Sequence, residues 1–336
     1  MKRPLYVGAV ADLLHDRSDC SLLVGDARTV SRKQVPGVAE CPLCTARDAK
    51  RIFPARRHHG TCRICGRFSL MATFEHVPPQ SALNDQTAID HGPDRARWPE
   101  VPTAAPTRGT RMQRGVGGYT ICDRCNHLTG AKYGAEYARW AWTAHAALTG
   151  VDLGALNSSS DHFMATLTLE DDAGVRPGLF VRQVLATMCS VSCGMLRVAC
   201  PDVTSVILTG APGTLPPSLQ LLCCLMGTGT VHSTFFGDIA DTVTNETALV
   251  AELVRYPFAF LVIFGDRLRP RIAGVDLTQM TELGADAPCE SVRLEIPIGH
   301  RNTHLPGDYR SQQQVNESRS IWSPDSPAPV DVSPTA

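Results

Sequence analysis

The stretch that decides the fold is Cys62-Arg63-Ile64-Cys65, followed by Phe74-Glu75-His76-Val77-Pro78-Pro79 and then by Cys122-Asp123-Arg124-Cys125-Asn126. A middle and a last Cys-x-x-Cys pair therefore bracket a Glu-His dipeptide, and an asparagine directly follows the last cysteine. Four thiolates at this spacing can close a tetrahedral zinc site, and a site with no open coordination position is structural. Zinc bound there would hold the glutamate, the histidine and the asparagine close together, and these side chains remain for chemistry.

A first pair, Cys41-Pro42-Leu43-Cys44, precedes these motifs and leaves two pairings open. Between the first and the middle pair lie 17 residues, an ordinary interval for a zinc ribbon. Between the middle and the last pair lie 56 residues, which suits a zinc ion that fastens a β-hairpin to a helix. We favour this longer pairing because it keeps Glu75 and Asn126 in register. The first pair would then bind a second zinc with His58 or His59, or bind no metal.

Composition limits how the chain can bind nucleic acid. The 336 residues have a formal net charge of −1, so bulk attraction to a polyanion is excluded and a phosphate-binding surface must be local. Seven cations and one acid lie between residues 41 and 70, which fits either a solvated basic loop or a phosphate contact. The candidates for phosphate contact are Arg56, Arg57, Arg63 and Arg67, together with Lys132 further along the chain.

Thirteen cysteines, several of them in Cys-x-x-Cys pairs, favour metal binding in a reducing cytoplasm over disulfides. No convincing signal peptide follows Met1, and no apolar run approaches the length of a membrane span. We therefore expect a cytoplasmic protein. Six further cysteines lie in apolar surroundings and are expected to act as small buried hydrophobes: Cys189, Cys193, Cys200, Cys223, Cys224 and Cys289.

The chain is long enough for two domains. Residues 1–40 carry no motif and are expected to form an appendage. Residues 41–150 are rich in Cys, His, Arg and Pro, and so poor in apolar runs that a metal would have to replace a core. Residues 155–310 predict a mixed α+β domain, and the polar, proline-rich segment 311–336 is expected to be disordered. The predicted fold class is α+β.

Periodicity predicts the main elements. Apolar and aromatic residues recur at three- and four-residue intervals over 123–148, which indicates an amphipathic helix. Its aromatic rings are expected to pack against the second half rather than stack on bases: Tyr133, Tyr137, Trp140 and Trp142. The apolar segment 180–196 predicts a buried helix, and 218–226 predicts a short one. Strands are predicted at 204–208, 230–236, 258–264 (central in its sheet) and 293–298, the last at a sheet edge because of Pro297.

The motifs at residues 62–130 resemble the HNH nuclease family, whose active unit is a zinc-stabilised β-hairpin followed by a helix that grips one divalent metal, the ββα-metal fold. The resemblance implies that His76 is the general base that deprotonates a water. It also implies that Glu75 and Asn126 hold a Mg²⁺ or Mn²⁺ ion, and that DNA is the substrate. Independently of the resemblance, an imidazole suits proton removal near neutral pH, and a hard cation suits charge on a phosphate.

Two departures from the family pattern affect the expected site. The last family histidine is replaced by Asn126, and His127 follows it; adjacent helix positions point about 100° apart, so we choose Asn126 as the residue that faces the metal. The middle asparagine of the family has no counterpart just before the last cysteine pair. Asn84 is the nearest candidate for orienting His76.

Three functions therefore remain under consideration. The first is a metal-dependent DNA endonuclease of the HNH type. The second is a catalytically silent zinc module that binds nucleic acid or protein. The third is an effector nuclease that a ligand activates through the second half of the chain.

Overall fold

The computed structural model describes residues 5–7, 13–15, 28–30, 34, 39–40, 60–69, 72–84, 88–90, 110–112, 115–151, 164–226, 232–240, 247–265 and 274–299. Four short strands come first: β1 Leu5–Val7, β2 Leu13–His15, β3 Arg28–Val30 and β4 Ala39–Glu40. They form a sheet of order β3-β1-β2-β4, in which β2 and β4 are parallel. The predicted tail, residues 311–336, and the first cysteine pair lie outside the described residues.

A second group of strands surrounds the Glu-His dipeptide: β5 Gly60–Thr61, β6 Phe68–Ser69, β7 Thr73–His76, β8 Ala88–Asp90, β9 Thr110–Met112 and β10 Gly117–Ile121. β5 pairs with β6, and β8 pairs with β9. β7 pairs with β10 in antiparallel register, with Glu75 opposite Gly118 and His76 opposite Gly117. A helix begins two residues after β10, so this part of the chain has the order strand, strand, helix.

The helical prediction for residues 123–148 is confirmed. The segment consists of α1 Asp123–Leu128, a π-helical turn Thr129–Tyr133 and α2 Gly134–Thr149. Its aromatic residues Tyr133, Tyr137 and Trp140 are at most 1% exposed. Trp140 stacks on Phe180 of the second half with ring centroids 4.0 Å apart and planes 7° apart. The predicted packing against the second half is confirmed for these three rings and wrong for the fourth, Trp142, which is 52% exposed.

The second half is built around one buried helix. After β11 Met164–Val175 come α3 Pro177–Val191, α4 Met195–Ala199 and α5 Asp202–Thr209. All residues of α3 are buried, and the helix begins with a proline, whose fixed φ and missing N–H suit a first helical position. The prediction of a buried helix in this segment is confirmed.

A mixed sheet covers α3. Its strands are β12 Leu219–Met226, β13 His232–Ala240, β14 Thr247–Arg255, β15 Phe258–Phe264, β16 Val275–Asp276 and β17 Cys289–Gly299, together with β11. The order is β11-β17-β12-β15-β14-β13, with β16 beside β12; β17 and β12 are parallel and the other pairs antiparallel. A 3₁₀ helix, Thr278–Glu282, follows β16. The α+β class and the central place of β15 are confirmed, and β13 overlaps the strand predicted at 230–236.

Two predicted elements are of the wrong type, and one predicted strand is wrongly placed in its sheet. Residues 204–208 belong to helix α5: Val203, Val206 and Ile207 are buried at helical spacing, and Gly210 ends the helix with a φ of +68°. Residues 219–226 form strand β12, and this apolar run is hydrogen-bonded to a strand on each side.

The third error concerns β17, which is an interior strand. Pro297 lies opposite Met164, the first residue of β11, and precedes Ile298 and Gly299, which pair with β12. The missing N–H of the proline therefore falls at the end of a ladder, where it interrupts little pairing.

One hydrophobic core joins the two halves of the chain. Ile64, Val77 and Ile121, from the cysteine-rich part, belong to the same buried cluster as Phe180 and Leu221 of the second half. The domain division at about residue 150 stays a prediction, but burial is continuous across it. Within the described residues, none of the helices combines the length and the apolar character needed to cross a lipid bilayer.

Candidate functional site

The middle and last cysteine pairs meet in space. The Sγ atoms of Cys62, Cys65, Cys122 and Cys125 all lie within 4.8 Å of one another, and those of Cys65 and Cys122 are 3.8 Å apart. Tetrahedral zinc with Zn–S bonds of about 2.3 Å requires Sγ atoms about 3.8 Å apart. The four thiols therefore fit a structural zinc ion, and the longer of the two pairings is the one that the structure forms.

Local structure places these thiols. Cys62 and Cys65 lie in the turn between β5 and β6, and Gly66 completes that turn with a φ of +72°, a backbone conformation that glycine adopts without strain. A Cβ at Gly66 would also lie 2.7 Å from the Arg197 guanidinium. Cys122 and Cys125 lie at the start of α1. The cluster thus fastens the β5–β6 turn to the first turn of the helix.

The thiols of the cluster differ in acidity. Hydrogen bonds from the thiols of Cys125 and Cys62 hold the pKa of Cys65 well below its usual value, whereas the pKa of Cys62 and the pKa of Cys125 are raised. Thiolates rather than thiols bind metal, so Cys65 is ready to bind, whereas Cys62 and Cys125 must give up their protons when a metal enters. Within the part of the chain that the structure describes, this is the one group of three or more His, Cys, Asp or Glu side chains close enough to hold a metal ion.

Glu75 and His76 lie on opposite faces of β7. The rings of Phe74 and His76 meet edge to face with centroids 5.0 Å apart, because residues two apart in a strand share a face. Glu75, between them, is 4% exposed and turned toward the interior. Its Oε2 accepts hydrogen bonds from Thr120 Oγ1 of β10, at 2.7 Å, and from Ser190 Oγ of α3, at 2.6 Å.

Burial determines the acid–base behaviour of Glu75. Desolvation raises the pKa of its carboxyl to about 7, although the hydrogen bonds from Ser190 and Thr120 and the nearby Arg63 act in the opposite direction. Its Oε1 is buried and receives no hydrogen bond. The structure therefore does not bring the Glu75 carboxylate to the His76 side of the strand, where the resemblance would have it bind a metal.

The raised pKa gives a testable pH dependence. The folded chain loses the Glu75 proton at about pH 7 and the unfolded chain at about pH 4.5, so the folded state binds more protons between these values. The free energy of unfolding should therefore fall by about 3 kcal/mol from pH 4.5 to pH 7 and level off above, at 1.36 kcal/mol per pKa unit. Urea unfolding at pH 5 and pH 8 should show this fall in the parent and not in Glu75→Gln. Equal pH slopes in the two proteins would contradict it.

Asn126 fastens α1 to the strand that carries His76. Its Nδ2 donates to the carbonyl oxygen of Phe74 at 3.0 Å, and its side chain is half-buried. His127, the alternative to Asn126, is exposed. Asn126 therefore contacts β7, and the choice of Asn126 over His127 as the residue that faces a metal stays a prediction.

Asn84 closes the loop between β7 and β10. It is fully buried, its Nδ2 donates to Pro78 O at 2.6 Å and Val116 O at 2.9 Å, and its Oδ1 accepts from Val116 N at 2.8 Å. Gly115 has a φ of +89°, and a Cβ there would lie 1.9 Å from the Asn84 backbone oxygen. Asn84 therefore fixes the backbone just after His76 through Pro78, and these three bonds all go to main-chain atoms.

The described residues do not make a site for a catalytic Mg²⁺ or Mn²⁺. Such cations prefer oxygen ligands, usually including one or two carboxylates. Of the two predicted ligands, Glu75 is turned away, and Asn126 donates Nδ2 to Phe74, which leaves its Oδ1 as the single ligand atom of the pair.

The side chains predicted to contact phosphate differ in their surroundings. Arg63 donates from Nη1 to Ser190 O and so faces α3, and Lys132 forms an ion pair with Asp286 at 3.1 Å. Arg67 is exposed. Arg56 and Arg57 lie outside the described residues.

Sequence reasoning missed the polar partners of Glu75 on α3. Gln183, Thr187 and Ser190 are spaced by four and three residues, so they share one face of a helix whose other residues are mostly apolar, apart from Arg182. This polar stripe on a buried helix indicates that the helix packs against at least one polar side chain of another element. The structure shows that Ser190, at its end, meets Glu75 and Thr120.

Comparison with protein-family models, with curated proteins and with solved structures gave no match for this chain.

Proposed function

We propose that this protein is a phosphodiester hydrolase of the HNH type, acting on DNA, with His76 as its catalytic base. The observation that carries the proposal is the way in which the strand that ends at His76 is held to helix α1. His76 is the last residue of β7. The Asn126–Phe74 hydrogen bond joins α1 to this strand, and the four cysteines join α1 to the β5–β6 turn. The ordered motifs of the sequence and the strand–strand–helix order support the same proposal.

The ring of His76 is held by aromatic neighbours. It is half-buried, with its Nε2 buried, and it meets Phe74 edge to face; Phe74 in turn meets Tyr119 with centroids 5.3 Å apart. An imidazole titrates near neutral pH and can take a proton from water as the water attacks phosphorus. The oxygen of the departing strand then takes up a proton, and the sum of the reaction is hydrolysis of one P–O bond.

Glu75 has a positioning role in this proposal. Its hydrogen bonds to Thr120 and Ser190 join β7, β10 and α3 directly behind His76. The second half of the chain thereby supports the strand that carries the base.

The test is cleavage of supercoiled plasmid and single-stranded DNA by the full chain, with Mg²⁺, Mn²⁺ or neither added. We expect nicking or fragmentation, and a loss of rate of about 100-fold or more in His76→Ala, because general-base catalysis contributes about 10²–10⁴-fold. His127→Ala is the matched control, since that exposed histidine lies one position beyond Asn126 and should leave the rate within about 3-fold. Equal rates for the parent and His76→Ala would contradict the proposal.

The catalytically silent zinc module is the second candidate, and the burial of Glu75 favours it. Glu75 is turned inward, and apart from the four cysteines the described residues form no group of three or more His, Cys, Asp or Glu side chains that could hold a hard cation. This candidate predicts a folded, zinc-bound chain that cleaves neither DNA substrate under any metal condition.

A further inference from the structure

Trp142 differs from the other aromatic residues of the helical segment 123–149. It is 52% exposed, whereas Tyr133, Tyr137 and Trp140 are at most 1% exposed. Trp140 packs into the core, and Trp142, two positions later, points to the opposite side of α2. Single exposed apolar residues are common, so exposure alone carries no argument.

The indole of Trp142 is held in place at its polar edge. Its Nε1 donates to the carbonyl oxygen of Ser81 at 3.1 Å. The ring of His145, one helical turn further, meets it at 88° with centroids 5.6 Å apart. A half-exposed ring that is held at its polar edge loses little conformational entropy when something stacks on it.

Trp142 is attached to the loop that leaves His76. Ser81 lies in the turn at residues 80–83, which begins four residues after His76. Asn84 follows this turn, and its Nδ2 donates a hydrogen bond to the carbonyl oxygen of Pro78. The hydrogen bonds of Ser81 and Asn84 therefore connect Trp142 to the loop that follows the candidate base.

A row of rings continues from Trp142 toward the sheet. His145 Nδ1 and Tyr256 Oη are 2.6 Å apart, and their rings meet at 81° with centroids 5.6 Å apart. Both rings are half-buried. Proteins that bind single-stranded nucleic acids often present exposed aromatic side chains on which successive bases stack.

The charges of the chain bear on how much base stacking contributes to nucleic-acid binding. The net charge is −1, and Arg63 and Lys132, two of the predicted phosphate contacts, are engaged within the protein. Phosphate contacts supply most of the affinity when a protein carries many free cations. Arg67 is exposed and can still contact phosphate, so base stacking adds to phosphate contact and does not replace it.

We propose that Trp142 stacks on an unpaired base of the nucleic acid strand whose phosphodiester lies at His76. The inference rests on the proposed function and adds the substrate class: single-stranded or locally unpaired DNA. In a duplex both faces of a base are covered by its neighbours, and exposing a face costs unstacking energy. Trp142, with His145 and Tyr256 beside it, would therefore favour nucleic acid strands whose bases are unpaired and unstacked.

The test measures binding by fluorescence anisotropy, with the full chain carrying His76→Ala to prevent cleavage. The probes are a labelled mixed-sequence single strand and the matched blunt duplex. Trp142→Ala should weaken single-strand binding about 5- to 100-fold, the range for loss of one stacked base, and change duplex binding by less than about 2-fold. Trp142→Phe keeps an aromatic face but loses the Ser81 hydrogen bond, and it should recover most of the lost affinity.

Three results would overturn the stacking proposal: no single-strand binding by the reference protein, equal binding by Trp142→Ala, or an equal loss in Trp142→Phe and Trp142→Ala. Failure of the hydrolase proposal looks different. In that case the chain with His76 intact cleaves nothing, while single-strand binding still depends on Trp142. Thermal melting of each variant shows that the fold is intact, which the exposed position of Trp142 favours.

Discussion

Replacing Cys125 by serine should release zinc and unfold the strand–strand–helix unit around His76. Cys125 is 1% exposed, and its Sγ lies within 4.8 Å of the other three thiols. In small zinc domains the metal contributes apparent folding free energy on the order of 10 kcal/mol. The cysteine-rich part of this chain, with few apolar residues of its own, should depend on the metal in the same way. Metal analysis and thermal melting of the purified protein measure both effects.

Cys224 provides the matched control for Cys125. It is equally buried, at 2% exposed, but belongs to a hydrophobic cluster of the sheet. Cys224→Ser should keep the zinc and lower stability only by about 1 to 3 kcal/mol, the cost of burying a hydroxyl that lacks a partner. Unchanged zinc content in Cys125→Ser would rule out the four-cysteine site.

Replacing Arg182 by leucine should lower the free energy of unfolding by about 3 to 5 kcal/mol, as expected when a partner is removed from a buried charged network. The guanidinium is fully buried on α3. It donates to the carbonyl oxygens of Gly178, Val206, Ala211 and Leu283, and so joins α3 to the end of α5 and to the segment after the 3₁₀ helix. Without it these oxygens are buried and lack their donor.

The control for Arg182 is the same change at Arg293, whose side chain is 71% exposed and pairs with Glu295. Exposed pairs contribute about 0 to 1 kcal/mol, so Arg293→Leu should change stability by less than about 1 kcal/mol. Urea unfolding of both variants gives the comparison. A loss of similar size at both positions would show that the carbonyl network of Arg182 contributes little.

The cysteine spacing and the helix after it could be predicted because their signals are local. Cys-x-x-Cys places two thiols in one turn, and the recurrence of Tyr133, Tyr137 and Trp140 indicates a helix face without knowledge of the partner. The longer of the two cysteine pairings was chosen because a zinc ion there would hold the predicted β-hairpin against the helix that follows it. The structure agrees with that choice.

The role of Glu75 could not be predicted from its neighbours in the chain. A Glu-His dipeptide suggests two groups acting together, but a strand sends adjacent side chains to opposite faces. Ser190, which receives Glu75, lies 115 residues further along the chain. Only the packing of α3 against the hairpin shows which face is interior.

The wrong elements in the second half have a similar origin. Leu219–Met226 is apolar enough for a helix or a strand, and its place between β17 and β15 decides for the strand. Pro297 argued for an edge, yet the ladder to β12 starts only after it. In both cases the tertiary arrangement outweighs the local preference.

The measurement that tests the division of roles between Glu75 and His76 most directly is the DNA cleavage rate of Glu75→Gln at pH 8, beside the parent and His76→Ala. We predict that Glu75→Gln cleaves within about 3-fold of the parent, because a glutamine oxygen can still accept from Thr120 and Ser190, while His76→Ala loses about 100-fold or more. A folded, zinc-bound Glu75→Gln that loses cleavage as completely as His76→Ala would contradict this division. Glu75 would then act in the chemistry itself.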